Sequence, residues 1–221
     1  GLIDTVTEKD LEDWEVSLKT NVFIHLIREG KQAGFLHYHE AYNLYVINSK
    51  ERVRKMYEII GNRQNKLGRP MSWLIAVRYK EHGEYIKDAL QRLYKGSGKV
   101  IEFVHGQHYN RDLIIDEFTQ GNIHILISTS IIQESVNIPI INGIIYALGG
   151  RDRVSIRQWN GRGTRQDGVH EDIEVHDFWD SCDVLTSSSR YRVKTWKSLG
   201  FDVELLYEHN NQYSPLLKNM L

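Results

Sequence analysis

The sequence predicts an α/β domain in which a parallel sheet is covered by helices on both faces. Short apolar runs of strand length alternate along the chain with segments whose apolar residues recur at helical spacing. Some runs are apolar on both faces, as in IHILIST at residues 123–129, which is typical of strands buried between two layers of helices. The 221 residues are 41% hydrophobic and 26% charged, so the chain can bury a core of the size that this fold needs.

Composition excludes several classes of protein. The formal net charge is −1, so any nucleic-acid site must be a local basic patch rather than an overall basic field. Cys182 is the single cysteine, which excludes an internal disulfide and a cysteine-based metal cluster. No apolar run approaches the ~20 residues of a membrane span, so we expect no membrane partner and a cytoplasmic location. The chain begins GLIDTVTEKD without an initiator Met, from which we expect a piece of a longer protein.

The first predicted elements lie before residue 62. A capping signal at Thr7 and apolar residues at helical spacing predict a helix over residues 8–29, and we assign residues 1–43 to a helical extension. The alternating stretch FLHYHEAYNLYVIN, residues 35–48, predicts a strand. Asn48 then opens a predicted helix, whose apolar positions are Val53, Met56 and Ile60.

The rest of the chain alternates between strands and helices. Predicted strands lie at residues 72–77, 99–105, 123–129, 143–148, 173–178 and 201–207. Predicted helices lie at residues 82–94, 110–119 and 153–161, and a last one follows the serines at 187–189. Residues 44–208 thus form the sheet domain, and residues 209–221 are expected to be a loose tail. Ligands of parallel sheets bind at the carboxyl ends of the strands, which directs attention to the loops that follow each run.

Two segments imitate nucleotide-binding motifs. GSGKV at residues 96–100 has Leu93 where a phosphate-binding loop needs its first glycine and Val100 where it needs a hydroxyl, so we predict a helix end followed by a strand. LIIDEF at residues 113–118 ends in an acid pair, but its apolar residues fit one helical face, so we predict a helix. The sequence therefore offers neither a phosphate cradle nor a magnesium-binding acid pair of its own.

The most informative block is residues 123–168. Ser128 and Thr129 stand where a buried strand ends, and hydroxyls and backbone N–H groups at that point can hold a phosphate. Further on, Gln158 and Arg162 are four residues apart and share a helical face, and Arg165 follows three residues later. Two guanidinium groups that converge in this way can stabilise the charge that develops on a phosphoryl group during its transfer.

The same block resembles a known family. STSIIQESVNIP followed by QWNGRGTR resembles motifs V and VI of superfamily 2 helicases and translocases, and WLIAVRYKEHGEYI resembles motif IV. The segment from VHGQHYN to the strand at 123–129 resembles the stretch that leads into motif V. The continuation from GRGTRQDG to VHDFWD is similar to the fork-remodelling and phage recombination branch. The resemblance covers roughly residues 44–207 and implies the second, C-terminal RecA-like domain of a two-domain motor.

The resemblance also implies roles for individual residues. Arg162 and Arg165 match the arginine fingers, and the nucleotide cleft is matched by Gln158, Asn137 and Gly161. The nucleic-acid backbone is held at the positions of Thr129, Ser128, Arg78, His105 and Gly106. The chain departs from the family pattern at Ser135, where glycine is usual, and at Asn137, where aspartate is common. At Asn137 a neutral amide would have to do the hydrogen bonding, and neither departure touches the two arginines.

The implied function is that of an ATP-dependent DNA helicase. ATP and Mg²⁺ are expected to be held mainly by an N-terminal RecA-like domain, in cis or in trans, so that this chain alone is expected to be inactive. The expected nucleic-acid partner is single-stranded or branched DNA. The alternative is a non-catalytic module that holds nucleic acid or protein without turnover, and motifs of a first motor domain upstream in the full reading frame would decide between the two.

Other interpretations of single features stay open. Arg162 and Arg165 could pair with surface carboxylates, and His37, His39 and Glu40 could be metal ligands, although ordinary strand residues are favoured there. The last long helix could grip phosphates or be a solvated face; its basic residues are Arg190, Arg192, Lys194 and Lys197. Bases could stack on three tryptophans, Trp14, Trp159 and Trp196, but buried packing is favoured for Trp14 and Trp196. Residues 8–29 could form an insertion between the motor domains or an element that binds a partner.

Overall fold

A computed structural model of the chain describes residues 19–31, 36–62, 72–129, 141, 143–151, 172–209 and 212–214. These residues form one eight-stranded sheet and its covering helices. The strands are β1 (Lys19–Ile27), β2 (Trp73–Ala76), β3 (Ile101–Val104), β4 (Ile125–Ser128), β5 (Gly143–Tyr146), β6 (Asp172–Asp180), β7 (Asp202–His209) and β8 (Gln212–Ser214). The helices are α1 (Tyr38–Tyr42), α2 (Lys50–Asn62), α3 (Lys80–Leu93), α4 (Arg111–Thr119) and α5 (Asp183–Ser198), with a π-helical segment, Asn43–Ile47, after α1.

The strand order in the sheet is β3-β4-β2-β5-β6-β1-β7-β8. All neighbouring pairs from β3 to β7 are parallel, and only β8 runs antiparallel, on β7. The predicted parallel sheet is therefore confirmed. Because the parallel strands share a direction, their carboxyl ends lie along one edge, which we call the carboxyl edge.

Helices cover both faces of the sheet, as predicted. Side chains alternate along each strand, so Trp73 and Ile75 of β2 pack under α2 and α3, while Leu74 and Ala76 face the layer of α4 and α5. All four residues of β2 are buried. This two-sided burial explains why the central strands are apolar at every position.

The helix predicted over residues 8–29 is wrong for Lys19–Ile27, because these residues form strand β1 between β6 and β7. Val22 and Ile24 join the core under α4 and α5, whereas Ile27 joins the core under α2 and α3. A run that is buried on both faces shows no alternation, so periodicity alone cannot separate it from a buried helix. Lys19–Ile27 therefore belongs to the sheet rather than to a helical extension. Residues 1–18 lie outside the described part of the chain.

The strand predicted within residues 35–48 is also wrong. Tyr38–Tyr42 is the helix α1 and Asn43–Ile47 is π-helical, so the segment is helical from Tyr38 to Ile47. Its buried side chains come in two adjacent pairs about one turn apart, and they share one helical face: Ala41, Tyr42, Val46 and Ile47. His37 and Glu40, weighed as metal ligands, instead form the capping box of α1, with the Glu40 carboxylate accepting from His37 N–H at 3.1 Å.

Predictions for the later elements are largely confirmed, with shifted boundaries. LIIDEF is helical within α4, and GSGK links α3 to β3, with Gly96 and Gly98 at φ 82° and 75°. Helix α5 begins at Asp183, before the serines that were expected to precede it. The tail predicted for residues 209–221 starts too early, because His209 ends β7 and Gln212–Ser214 adds β8. The helix predicted at 153–161 lies outside the described residues. No helix within the described ranges is long and apolar enough to cross a membrane.

Candidate nucleic-acid interface

The predicted nucleic-acid residues lie together at the carboxyl edge. Arg78 follows β2 by two residues, and His105 and Gly106 come directly after β3. Ser128 ends β4 and Thr129 follows it. Since β4 lies between β3 and β2 in the sheet, these five residues occupy the ends of three adjacent strands. Residues that are distant in sequence thus form one continuous stretch of the edge.

Backbone hydrogen bonds extend past the strand ends and fix this stretch. The N–H of Val77 donates to Ser128 O at 2.9 Å, and the N–H of Thr129 donates to Val104 O at 3.3 Å. On the other side of β2, the N–H of Ala147 donates to Ala76 O at 2.9 Å. The residues that follow the strands are therefore held in register with one another.

The two hydroxyl residues of β4 are not equivalent. Ser128 is fully buried, and its hydroxyl donates to the carbonyl oxygen of Thr129 at 2.8 Å. Thr129 keeps 8% of its surface exposed. A phosphate that approaches this strand end meets Thr129 first, so the role assigned to the Ser128 side chain needs that hydroxyl to turn away from its carbonyl partner. Both contacts stay predictions.

His105 is partly exposed beside the end of β3. Its Nδ1 accepts from the N–H of Gln107 at 3.3 Å, and its ring meets that of His108 edge-on, with 5.5 Å between centroids. Partial burial lowers the pKa of His105 below its ordinary value, and the nearby Lys80 and His108 lower it further. These effects favour the uncharged imidazole, although the nearby Glu84 opposes them.

Arg78 supplies a fixed positive charge at the edge. Its guanidinium lies over the ring of Tyr79, 5.9 Å from the centroid, and the residue is exposed. Within the described ranges Arg78 makes no ion pair. Its charge is not neutralised by a carboxylate there, which is what a phosphate-binding arginine requires.

The residues assigned to the nucleotide lie outside the described part of the chain: Asn137, Gln158, Gly161, Arg162 and Arg165. The loop that leads toward four of them is described as far as Arg151. Arg192 Nη1 of α5 donates to Gly150 O at 3.0 Å, and Arg151 Nη2 donates to Ser187 Oγ at 2.7 Å. Helix α5 therefore anchors the chain immediately before the segment that carries the two predicted arginine fingers.

Arg192 is the centre of a buried ionic network that sequence reasoning missed. Its Nε lies 3.0 Å from Asp177 Oδ2, which also accepts from Trp196 Nε1 at 2.9 Å. Burial alone would lower the pKa of Arg192, but the carboxylates of Asp177 and Asp180 outweigh it and the pKa is raised. The phosphate-gripping or solvated role weighed for Arg192 is wrong, because the side chain is fully buried. Asp177 and Asp180, which flank Phe178 and Trp179 in β6, were the available signal, since a buried carboxylate needs a partner.

Asp180 brings helix α2 into the same network. It pairs with Arg52 of α2, whose Nε donates to Tyr45 O at 3.0 Å and whose guanidinium lies over the Phe178 ring. The fold thus uses its buried charges to join elements.

Within the described ranges no group of three or more His, Cys, Asp or Glu residues could hold a metal ion. The acidic residues Asp116 and Glu117 lie on α4, where Glu117 accepts from Asn122.

A seven-strand parallel array with helices on both faces and polar residues gathered at its carboxyl edge defines a RecA-like α/β domain. Residues 44–167, more than half of the chain, match the helicase conserved C-terminal domain. The chain belongs to this family. No curated protein matches it closely in sequence.

Solved structures of helicase proteins share the fold. The C-terminal domain of the DEAD-box protein Dbp5 is 16% identical with a TM-score of 0.59, over 86% of this chain and 89% of that one. T4 UvsW is 13% identical with a TM-score of 0.62, over 85% of this chain and 41% of its own. S. cerevisiae Dbp5 bound to RNA and ADP BeF3 is 17% identical with a TM-score of 0.56, over 85% and 41%. At these identities the likeness shows the fold alone, and the chain spans less than half of the latter two proteins.

Proposed function

We propose that this chain is the second motor domain of an ATP-dependent DNA helicase or translocase that acts on branched or forked DNA. The observation that carries the proposal is the gathering of Arg78, His105, Gly106 and Thr129 at the ends of three adjacent strands. An edge of this kind offers a phosphate backbone a row of separated contacts, one at each strand end.

In this proposal the domain has two ligands. The nucleic-acid strand runs along the carboxyl edge and is held by Arg78, Thr129 and the His105 loop. ATP and Mg²⁺ are held mainly by an N-terminal RecA-like domain, and this chain reaches the nucleotide with Arg162 and Arg165. Gln158, Asn137 and Gly161 line the nucleotide on this side. The Arg192 and Ser187 anchors before residue 152 support the proposal, because arginine fingers act only from a fixed position.

The preference for DNA over RNA rests on the resemblance of residues 161–180 to the fork-remodelling and phage recombination branch. The fold does not separate the two nucleic acids, since the structural neighbours include a protein solved with RNA bound. DNA and RNA strands of the same sequence therefore belong in one assay. Forked, single-stranded and duplex DNA complete the set.

The test is nucleic-acid-stimulated ATP hydrolysis by the intact protein, with the N-terminal RecA-like domain in cis or added in trans. Arg165→Ala is expected to lower the maximal rate by about 10³-fold or more, because an arginine finger acts in the transition state. Nucleic-acid affinity, measured by fluorescence anisotropy, should stay nearly unchanged. Arg54→Ala removes a well-exposed arginine from α2 and serves as the matched control, which should keep its turnover.

Normal turnover by Arg165→Ala would refute the role given to that residue. Absence of stimulated turnover in the wild-type intact protein, with nucleic-acid binding retained, would favour the non-catalytic binding module instead. Stimulation by RNA but not by DNA would overturn the proposed substrate and leave the motor assignment standing.

A further inference from the structure

Two exposed tyrosines flank Arg78 at the carboxyl edge. Tyr79 follows Arg78 in the chain and is 44% exposed, and Tyr38 at the start of α1 is 38% exposed. More than a third of the surface of each tyrosine is left uncovered by the fold, which is enough for a ligand to reach the ring. Their position beside the predicted phosphate-binding residue gives them a chemical use.

A buried third ring fixes the two exposed ones. Tyr42 is 6% exposed and lies next to both, with centroids 5.9 Å from Tyr38 and 6.0 Å from Tyr79. Its hydroxyl donates to the carbonyl oxygen of Leu148, which lies two residues after the end of β5. Burial raises the pKa of Tyr42, so the hydroxyl stays a donor at every ordinary pH. The sheet thus holds the central ring, and the central ring supports its two neighbours.

Arg78 is close to both exposed rings. Its guanidinium lies over Tyr79 at 5.9 Å from the centroid. A methyl group built on Gly150 would lie 3.3 Å from Arg78 Nη1 and 3.5 Å from Tyr38 Oη, so both side chains approach the same glycine. Gly150 has φ 70°, a conformation that glycine adopts readily. One cation and two aromatic surfaces therefore share a small area of the edge.

We propose that Tyr38, Arg78 and Tyr79 form a stacking platform for an unpaired base of the nucleic-acid strand. Arg78 holds a phosphate, and the base of the same or the next nucleotide stacks on Tyr79 or Tyr38. Every base has a flat π-face, so the platform accepts any sequence. Bases inside a duplex are already stacked on one another and are not available. The platform therefore selects single-stranded nucleic acid over duplex at this point of the track.

The inference rests on the proposed function, since it assumes that the edge binds a nucleic-acid strand. It commits to a base of that strand rather than to the adenine of ATP, because Arg78 stands among the strand ends assigned to the nucleic acid. A protein partner with an acidic, apolar surface is the competing occupant, and it makes no use of an unpaired base.

The experiment measures the affinity of the intact protein for three fluorescent probes of equal length: a single-stranded oligonucleotide, the same strand with abasic sites throughout, and a blunt duplex. Variants are Tyr38→Ala, Tyr79→Ala and their combination, with Tyr38→Phe and Tyr79→Phe as conservative replacements. Each lost stacking contact is expected to weaken single-strand binding about 5- to 150-fold. The abasic and duplex affinities should be unchanged, and the Phe variants should bind like the wild type.

Tyr57→Ala is the matched control. Tyr57 is 36% exposed, like Tyr38, but its ring is tilted against that of Tyr94, the residue directly after α3, away from the residues that follow the parallel strands. This variant should bind all three probes as the wild type does. Thermal unfolding of each variant shows whether the domain is still folded.

Four results would overturn the platform. An equal loss on the abasic strand would mean that the tyrosines act only through Arg78 and a phosphate. No loss on any probe would leave the rings without a role in binding. Weaker binding of a fluorescent ADP analogue, with single-strand affinity intact, would assign the rings to the nucleotide. If the wild type binds none of the three probes, the proposed function fails as well, which separates that failure from the failure of the platform alone.

Discussion

At the scale of single residues, the place of a basic side chain on its helix or strand end decides whether it meets solvent or the core. The resemblance implies nucleic-acid contacts for Arg78, His105 and Thr129, and the structure places these residues after three adjacent strands at one edge. Arg192 was predicted on the same helix as three exposed basic residues, yet it alone is buried. The sequence shows which residues are basic. Which of them face the core depends on how their helix packs against the sheet.

His82 near the start of α3 illustrates a buried group whose effect is on stability. It is fully buried, and neither ring nitrogen has a hydrogen-bond partner. Burial, together with the charge of Arg52, lowers the pKa of His82 to about 3, against an ordinary value of 6.5. The unfolded chain therefore binds more protons than the folded one between these two pH values. Stability is full above the unfolded pKa and is lost as the pH falls below it, by about 2 kcal/mol at pH 5.

Replacement of His82 by leucine tests this prediction. Urea denaturation at pH 7 and pH 5 gives the difference in the free energy of unfolding, and His82→Leu should reduce that difference by about 2 kcal/mol. At pH 7 the variant should be at least as stable as the wild type, because an unsatisfied buried polar ring is replaced by an apolar side chain of similar size. His39→Leu, at an exposed site, is the control. An unchanged pH difference in His82→Leu would contradict the assignment.

At the scale of elements, the prediction failed for β1, where two-sided burial removed the periodic signal from a run long enough to be a helix. The run NVFIHLI reads equally well as a buried helix or strand, and only its pairing with β6 and β7 decides for β1. In α1 and the π-helical segment the opposite happened, because alternating letters such as FLHYHE imitated a strand while the buried residues share one helical face. Elements with one exposed face, such as α2 and α3, were predicted correctly because their amphipathic pattern is complete.

Helix α5 is fastened to β6 by ionic bonds as well as by packing. Removal of the charge in Arg192→Met leaves Asp177 buried without its cation and is expected to cost about 3–5 kcal/mol of stability. Adding Asp177→Asn removes the stranded charge, so the double variant should be more stable than the single one. Arg190→Met, at the exposed position two residues away, should change stability by about 0.5 kcal/mol or less. Additive losses in urea denaturation would show that the two charges do not interact.

At the scale of the whole molecule, strand β1 is an internal part of the sheet and therefore belongs to the folding unit. It lies between β6 and β7 and pairs with β6 along its full length, from Lys19 to Ile27. The family match and the sheet domain predicted from sequence both begin at residue 44, so neither includes this strand. A chain cut at that point would expose the facing edges of β6 and β7 and uncover the apolar side chains around Val22 and Ile24.

Truncation therefore tests whether the folded domain begins at residue 44, where the family match begins, or also needs strand β1. A chain that starts at residue 32 should show no cooperative thermal unfolding and should aggregate on size-exclusion chromatography, whereas one that starts at residue 19 keeps β1 and should unfold cooperatively. Among the described elements, removal of residues 212–221 takes away the short edge strand β8, and it should cost far less, because a terminal strand is paired on one side. A cooperative transition near that of the longer chain, in the absence of β1, would mean that β6 and β7 can close the gap by pairing directly.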